Sequence, residues 1–115
     1  MNIEQFLDKK EVEIGGKQFL ISRIPTLKAH EIYVNMVKAT GDYGKLGLTM
    51  LPMDIVRDLF GYCAAKIPTG GWTVLDTNDT VNTYLPSLFD CIQLQYQMCE
   101  YNFGFFIDGR LTTLL

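Results

Sequence analysis

Histidine is almost missing from this chain of 115 residues: His30 is the only one. Cysteine is scarce too, with Cys63, Cys91 and Cys99 standing far apart and no CxxC among them. A zinc site draws three or four ligands from such residues at close, characteristic spacings. One His and three scattered Cys do not supply them, and no metal or cofactor is expected. An odd number of cysteines without a framework pattern also argues against disulfides; each reads as a small core hydrophobe in a helix-periodic segment. A Cys–His nucleophile would need His30 beside one of the thiols, but His30 sits next to Glu31, off the apolar stripe of its segment, as an ordinary surface or boundary residue. Ser22 and Ser87 are the only serines, and neither lies in a GxSxG turn. Gly16-Lys17 resembles the end of a phosphate-binding loop, yet Glu11 stands where the first Gly belongs and Gln18 where Ser or Thr belongs. Asp54 and Asp58 flank Arg57 as a solvated face. No reaction class is left, and no enzymatic activity is expected.

Positive charge is the next deficit. Ten Lys and Arg stand against thirteen Asp and Glu, a net charge of -3. The imbalance is one-sided. Residues 1–66 carry nine basic and eight acidic side chains, whereas residues 67–115 carry Arg110 alone against Asp76, Asp79, Asp90, Glu100 and Asp108. The acidic C-terminal half offers no footprint for nucleic acid or an anionic membrane; a partner with a basic patch suits it better. Long apolar runs are absent, so no segment reaches the ~20 residues that span a bilayer. Met1–Asp8 has neither a basic region nor a long apolar stretch, so no signal peptide is expected and the protein is placed in a cytoplasm. The Asn78-Asp79-Thr80 sequon then has no meaning. With 48% hydrophobic residues the chain is not disordered, and its length fits one domain, 1–115, with one modest core.

What is present reads as an N-terminal hairpin and a series of helices. Val12, Ile14, Phe19 and Ile21 have period-two spacing around Gly15-Gly16, a hairpin over 11–23. Residues 2–8 suggest a turn or two of helix. Pro25 ends the strand, Thr26 reads as an N-cap, and Ala29, Ile32, Tyr33, Met36 and Val37 form one helical face. Gly41, Gly44 and Gly47 mark a linker. Pro52 suits the first position of a second helix, with Asp54 favourable in its first turn. Its stripe of Met53, Val56, Leu59, Phe60, Cys63, Ala64 and Ile67 predicts a helix ended by Pro68, Gly70 and Gly71. Trp72–Leu75 is too short to assign and reads as a loop that folds Trp72 onto the core. In the last helix Val81, Tyr84, Leu85, Leu88, Ile92, Tyr96, Cys99 and Phe103 keep one face; Pro86 either kinks it or separates a short turn at 79–84 from a helix starting at 85. Gly104 should end or loosen it. The fold class expected is mainly α, of α+β type: the N-terminal β-hairpin followed by three or four helices in a small bundle over 26–107, with a tail at 108–115.

Apolar residues then exceed what a small core needs. Phe103, Phe105, Phe106, Ile107, Leu111, Leu114 and Leu115 crowd the C-terminus. Either all of them pack inside, or part of the cluster is an exposed interface. Tyr84, Tyr96 and Tyr101, with both area and a polar tip, also suit an interface. The partner-binding residues selected on these grounds are Tyr101, Phe105, Phe106 and Ile107, with Leu114 and Leu115 behind them.

Three segments also carry a resemblance. A short leader precedes the hairpin Val12-Glu13-Ile14-Gly15-Gly16-Lys17-Gln18-Phe19, Arg23-Ile24-Pro25-Thr26 leads into a helix, and the last helix ends Glu100-Tyr101-Asn102-Phe103-Gly104-Phe105-Phe106. This pattern, covering about residues 1–107, resembles the tail assembly chaperones of long-tailed bacteriophages. The resemblance implies a non-enzymatic, mostly helical protein of the infected host's cytoplasm, absent from the mature virion. It implies binding to the tape measure protein, which such chaperones keep soluble while the tail tube assembles. It also implies contact with tail tube protein through a longer, frameshifted form, and an end at Leu115 is compatible with the short form. A helix-in-groove mode repeated in many weak copies would suit this task, and self-association at high concentration is expected with it. The alternative is a minor structural subunit of a phage tail or head–tail joint.

Overall fold

A computed structural model describes residues 8–40 and 51–107. Among these, the elements run β1 (Lys9–Ile14), β2 (Lys17–Ser22), α1 (Thr26–Thr40), α2 (Met53–Phe60), β3 (Cys63–Lys66), β4 (Trp72–Val74), α3 (Asn78–Tyr84) and α4 (Leu88–Ile107). The four strands form one antiparallel sheet in the order β1-β2-β3-β4. The molecule is a small α+β domain, not a helical bundle behind a hairpin.

The first hairpin forms where its sequence places it. Val12 pairs with Phe19 and Ile14 with Lys17, and both turn glycines have positive φ, 59° and 78°. That conformation is what a primed two-residue turn requires. The turn rests on the helical layer: Lys17 Nζ donates to the Tyr84 carbonyl at 3.4 Å, and a Cβ on Gly15 would collide with the Asp90 carboxylate.

The second hairpin overturns the bundle. α2 stops at Phe60, where the Gly61 N–H donates to the Arg57 carbonyl and the Tyr62 N–H to the Leu59 carbonyl. Cys63, Ala64 and Ala65, expected to continue the helical stripe, instead pair with Ile21, Leu20 and Phe19. Ala64, Ala65 and Lys66 pair on the other side with Val74, Thr73 and Trp72, so the segment holding the tryptophan is an edge strand. Between them Gly70 and Gly71, at φ 98° and 89°, turn the chain. Ile67 accepts a hydrogen bond from Gly70 and donates one to Gly71. The helical reading failed for a physical reason. Cys63 and Ala65 are buried on one face of the sheet and Ala64 on the other, so β3 shows no polar alternation to set it apart from a buried helix.

One face of the sheet carries the core. Phe19, Ile21, Cys63 and Ala65 pack beneath Ile32 and Met36 of α1, Leu59 and Phe60 of α2, and Leu94, Met98, Cys99 and Phe103 of α4. The opposite face holds a smaller cluster, Leu20 and Ala64 flanked by Trp72 and Val74. Asn102 joins the layers: its side-chain oxygen accepts from the Ile24 N–H at 2.8 Å, and its nitrogen donates to the Ser22 and Met98 carbonyls, both at 3.2 Å. α1 has the expected inner face, although Val37 is exposed. Pro52 lies just before α2 and supplies carbonyl acceptors for Ile55 and Val56, instead of occupying the first helical position.

α4 differs from expectation in phase. Pro86 separates two helices, and the longer one starts at Leu88, not 85. Leu94 and Met98, outside the expected stripe, are completely buried, while Leu88, inside it, is 73% exposed. α4 runs past Gly104 to Ile107; its backbone breaks one residue earlier, at Phe103 (φ -129°, ψ 32°). The observed phase has a direct consequence for stability. Leu94→Ala should cost about 2–5 kcal/mol, whereas Leu88→Ala should stay within ~0.5 kcal/mol, measured by chemical denaturation. Equal losses at the two positions would contradict this helix orientation.

Candidate functional site

The residues selected from the sequence do not come together as a site. Tyr101 is described, and it is spoken for. Its hydroxyl donates to Asp8 Oδ1 at 2.6 Å, Arg23 Nε donates to Asp8 Oδ2 at 2.6 Å, and the Arg23 guanidinium lies 5.4 Å from the Tyr101 ring centre. The Arg23 backbone N–H also donates to the Asp8 carbonyl at 2.8 Å. Tyr101 therefore ties the start of β1 and the β2–α1 connection to α4. Phe105, Phe106 and Ile107 belong to the last turn of α4, but their side chains lie outside the described residues, as do Leu114 and Leu115 entirely. Phe103, the first residue of the aromatic ending, is core: it is 2% exposed and its ring lies 6.1 Å from that of Tyr33.

A cleft of about 590 Å³ lies elsewhere, between α2, α3 and the first half of α4. Its floor is apolar. α2 contributes Val56 and Phe60, the segment after β4 contributes Leu75, α3 contributes Val81, and α4 contributes Cys91 and Ile92. Met53 and Leu88 stand at its mouth, 64% and 73% exposed. Its polar wall comes from Asp76, Thr77, Asn78 and Asn82.

α3 is the thin side of this cleft. None of its residues is buried, so it depends on its ends. The Thr77 hydroxyl accepts from the Thr80 N–H at 3.1 Å, and the Thr80 hydroxyl accepts from the Thr77 N–H at 3.2 Å. This reciprocal pair satisfies two donors that a helix start leaves free. Arg57 reaches across from α2 and donates to Asn78 Oδ1 at 3.0 Å. Asp58, on the same helix, faces Lys28 at 3.6 Å instead.

One polar group sits in the floor. Gln95 is 6% exposed, and its Nε2 donates only to Cys91 Sγ, at 3.4 Å. Its Oε1 has no hydrogen-bond partner among the described residues. The three thiols are free and differ in access: Cys91 is half-buried in the cleft, while Cys63 and Cys99 are in the core. Burial pushes the Cys99 thiol up to about 12 and raises Cys63 well above its ordinary value.

No family model, curated protein or solved structure matches the chain. The described residues hold no cluster of His, Cys, Asp and Glu able to bind a metal ion. No described helix is long and apolar enough to cross a membrane.

The cleft was hidden in the sequence by a mixed stripe. By helical spacing Leu88 and Ile92 share one stripe with the core residues Cys99 and Phe103. A second apolar series on the same helix, Leu94 and Met98, is the signal that the inner face is rotated from that stripe.

Two outcomes are expected from these contacts. The Tyr101 hydroxyl, and secondarily Arg23, hold the Asp8 carboxyl below its ordinary value, and the bond to Asp8 raises Tyr101. The Asp8 contribution is thus complete above about pH 4 and disappears as pH falls through the depressed value. The Tyr101 contribution is complete at neutral pH and disappears only in strong alkali. Asp8→Asn should therefore lower the melting temperature at pH 7 and make little difference near pH 2, as followed by thermal denaturation; a gap that widens in acid would contradict the sign. Alkylation of the native protein should modify Cys91 and spare Cys63 and Cys99 until the chain unfolds, as read by peptide mass spectrometry.

Proposed function

We propose that this chain is a non-enzymatic binding protein, a bacteriophage tail assembly chaperone whose cleft takes amphipathic helical segments of the tape measure protein. One observation carries the reading: a cleft with an apolar floor and with Met53 and Leu88 exposed at its mouth, in a domain of 115 residues. Exposed apolar side chains around a concave apolar surface mark a place where a partner's apolar face is buried. Two helices and a helical strut make the walls, and a helix laid between them would bury a stripe at i, i+3, i+4 and i+7.

A long helical partner has nothing to cover its apolar stripe until a tube surrounds it. Many copies of a small protein, each binding one segment with modest affinity, would keep such a chain soluble and still release it. On this reading the protein acts in the host cytoplasm, does not persist in the virion, and meets tail tube protein through a longer form. Self-association at high concentration belongs to the same reading. The sequence resemblance contributes the identity of the partner; the cleft contributes the mode.

Leu88→Asp tests it. The side chain is mostly exposed, so the variant should fold with an unchanged melting temperature. Affinity for a helical tape measure segment should fall about 10- to 100-fold, corresponding to the ~1.5–3 kcal/mol of one buried leucine. Unchanged binding would contradict the proposed use of the cleft. Recovery of the chain in stoichiometric amounts from purified virions would favour a structural tail subunit instead.

A further inference from the structure

The cleft floor contains a polar group that the described residues leave half-satisfied. Gln95 is more than nine-tenths buried, and its side-chain nitrogen meets only the Cys91 sulfur, at 3.4 Å. Sulfur is a weak acceptor and a thiol a weak donor, so exchanging the two ends of the carboxamide leaves the same deficit. Buried carboxamides are normally fully bonded, and an unpaired one is costly. Leu or Met at this position would complete an apolar floor at no such cost.

We infer that Gln95 selects the partner: the cleft takes an amphipathic helix that carries one Gln or Asn within its apolar stripe. This rests on the reading of the cleft as a helix-binding site. The helix backbone of a partner cannot satisfy Gln95, because its N–H and C=O groups are bonded internally. A second carboxamide can, since it offers a donor and an acceptor together and fits either orientation of Gln95. A lone Asn in an apolar helical seam fixes register in the same way, by making every other alignment leave a polar group unpaired. For a protein that must sit at defined places along a long helix, such a device supplies the position and the apolar floor supplies the grip.

The test uses two synthetic amphipathic helical peptides, identical except for Gln or Leu at one central stripe position. Each is titrated by calorimetry against the full chain and against Gln95→Leu and Gln95→Met, with the melting temperature of every variant checked first. The native chain should bind the Gln peptide about tenfold more tightly than the Leu peptide. Both variants should reverse that order, and Met, close to Gln in shape, keeps the comparison intact should Leu disturb the fold. Both peptides should shield Cys91 from alkylation. Shielding with no preference, or a preference for Gln that survives in both variants, would overturn the role of Gln95 and leave the cleft standing. No binding and no shielding by either peptide would overturn the cleft and the inference together.

Discussion

Burial of the sheet face made by Phe19, Ile21, Cys63 and Ala65 beneath α4 is the contact on which the rest of the structure depends. An apolar sheet face must be covered, and α4, the longest of the described helices, covers it together with α1 and α2. From α4, Leu94, Met98 and Cys99 contribute to the cover. Leu88 and Ile92, in the first turns of the same helix, meet α2 and α3 instead and form one side of the cleft.

The segments that carry the phage chaperone resemblance converge in space on a joint, not on the cleft. Arg23 meets Asp8 and Tyr101, the Ile24 N–H meets Asn102, and Phe103 fills the core beside Tyr33. These residues hold the hairpin, the connection into α1 and the end of α4 together. Their spacing therefore speaks to how the chain folds. The proposed binding mode stands on different residues, those of α2, α3 and the first half of α4.

Much of the fold was legible in the sequence, and the rest was not for identifiable reasons. The hairpin at Gly15-Gly16 was legible because alternation and turn chemistry agree. The inner face of α1 was legible because Ile32 and Met36 repeat against a polar background. β3 was not, because a strand buried on both faces lacks alternation and Cys63-Ala64-Ala65 continues the helical period of α2. β4 is three residues long, and only pairing with β3 defines it. The candidate site was the least legible part. Aromatic crowding at the C-terminus drew attention, whereas the cleft depends on the phase of α4, which the sheet sets. Gln95 looked like any polar residue of a helix; its interest comes from being buried beside a lone thiol.

The central claim is that a helical partner occupies the cleft between α2, α3 and α4. Backbone amide hydrogen exchange of the full chain, with and without a tape measure segment, tests it most directly. The account expects slowed exchange in Met53–Phe60, Asn78–Tyr84 and the first two turns of α4, with the thinly anchored α3 gaining most. Slowed exchange confined to the last turns of α4 or to the outer sheet face around Leu20 and Trp72 would contradict it.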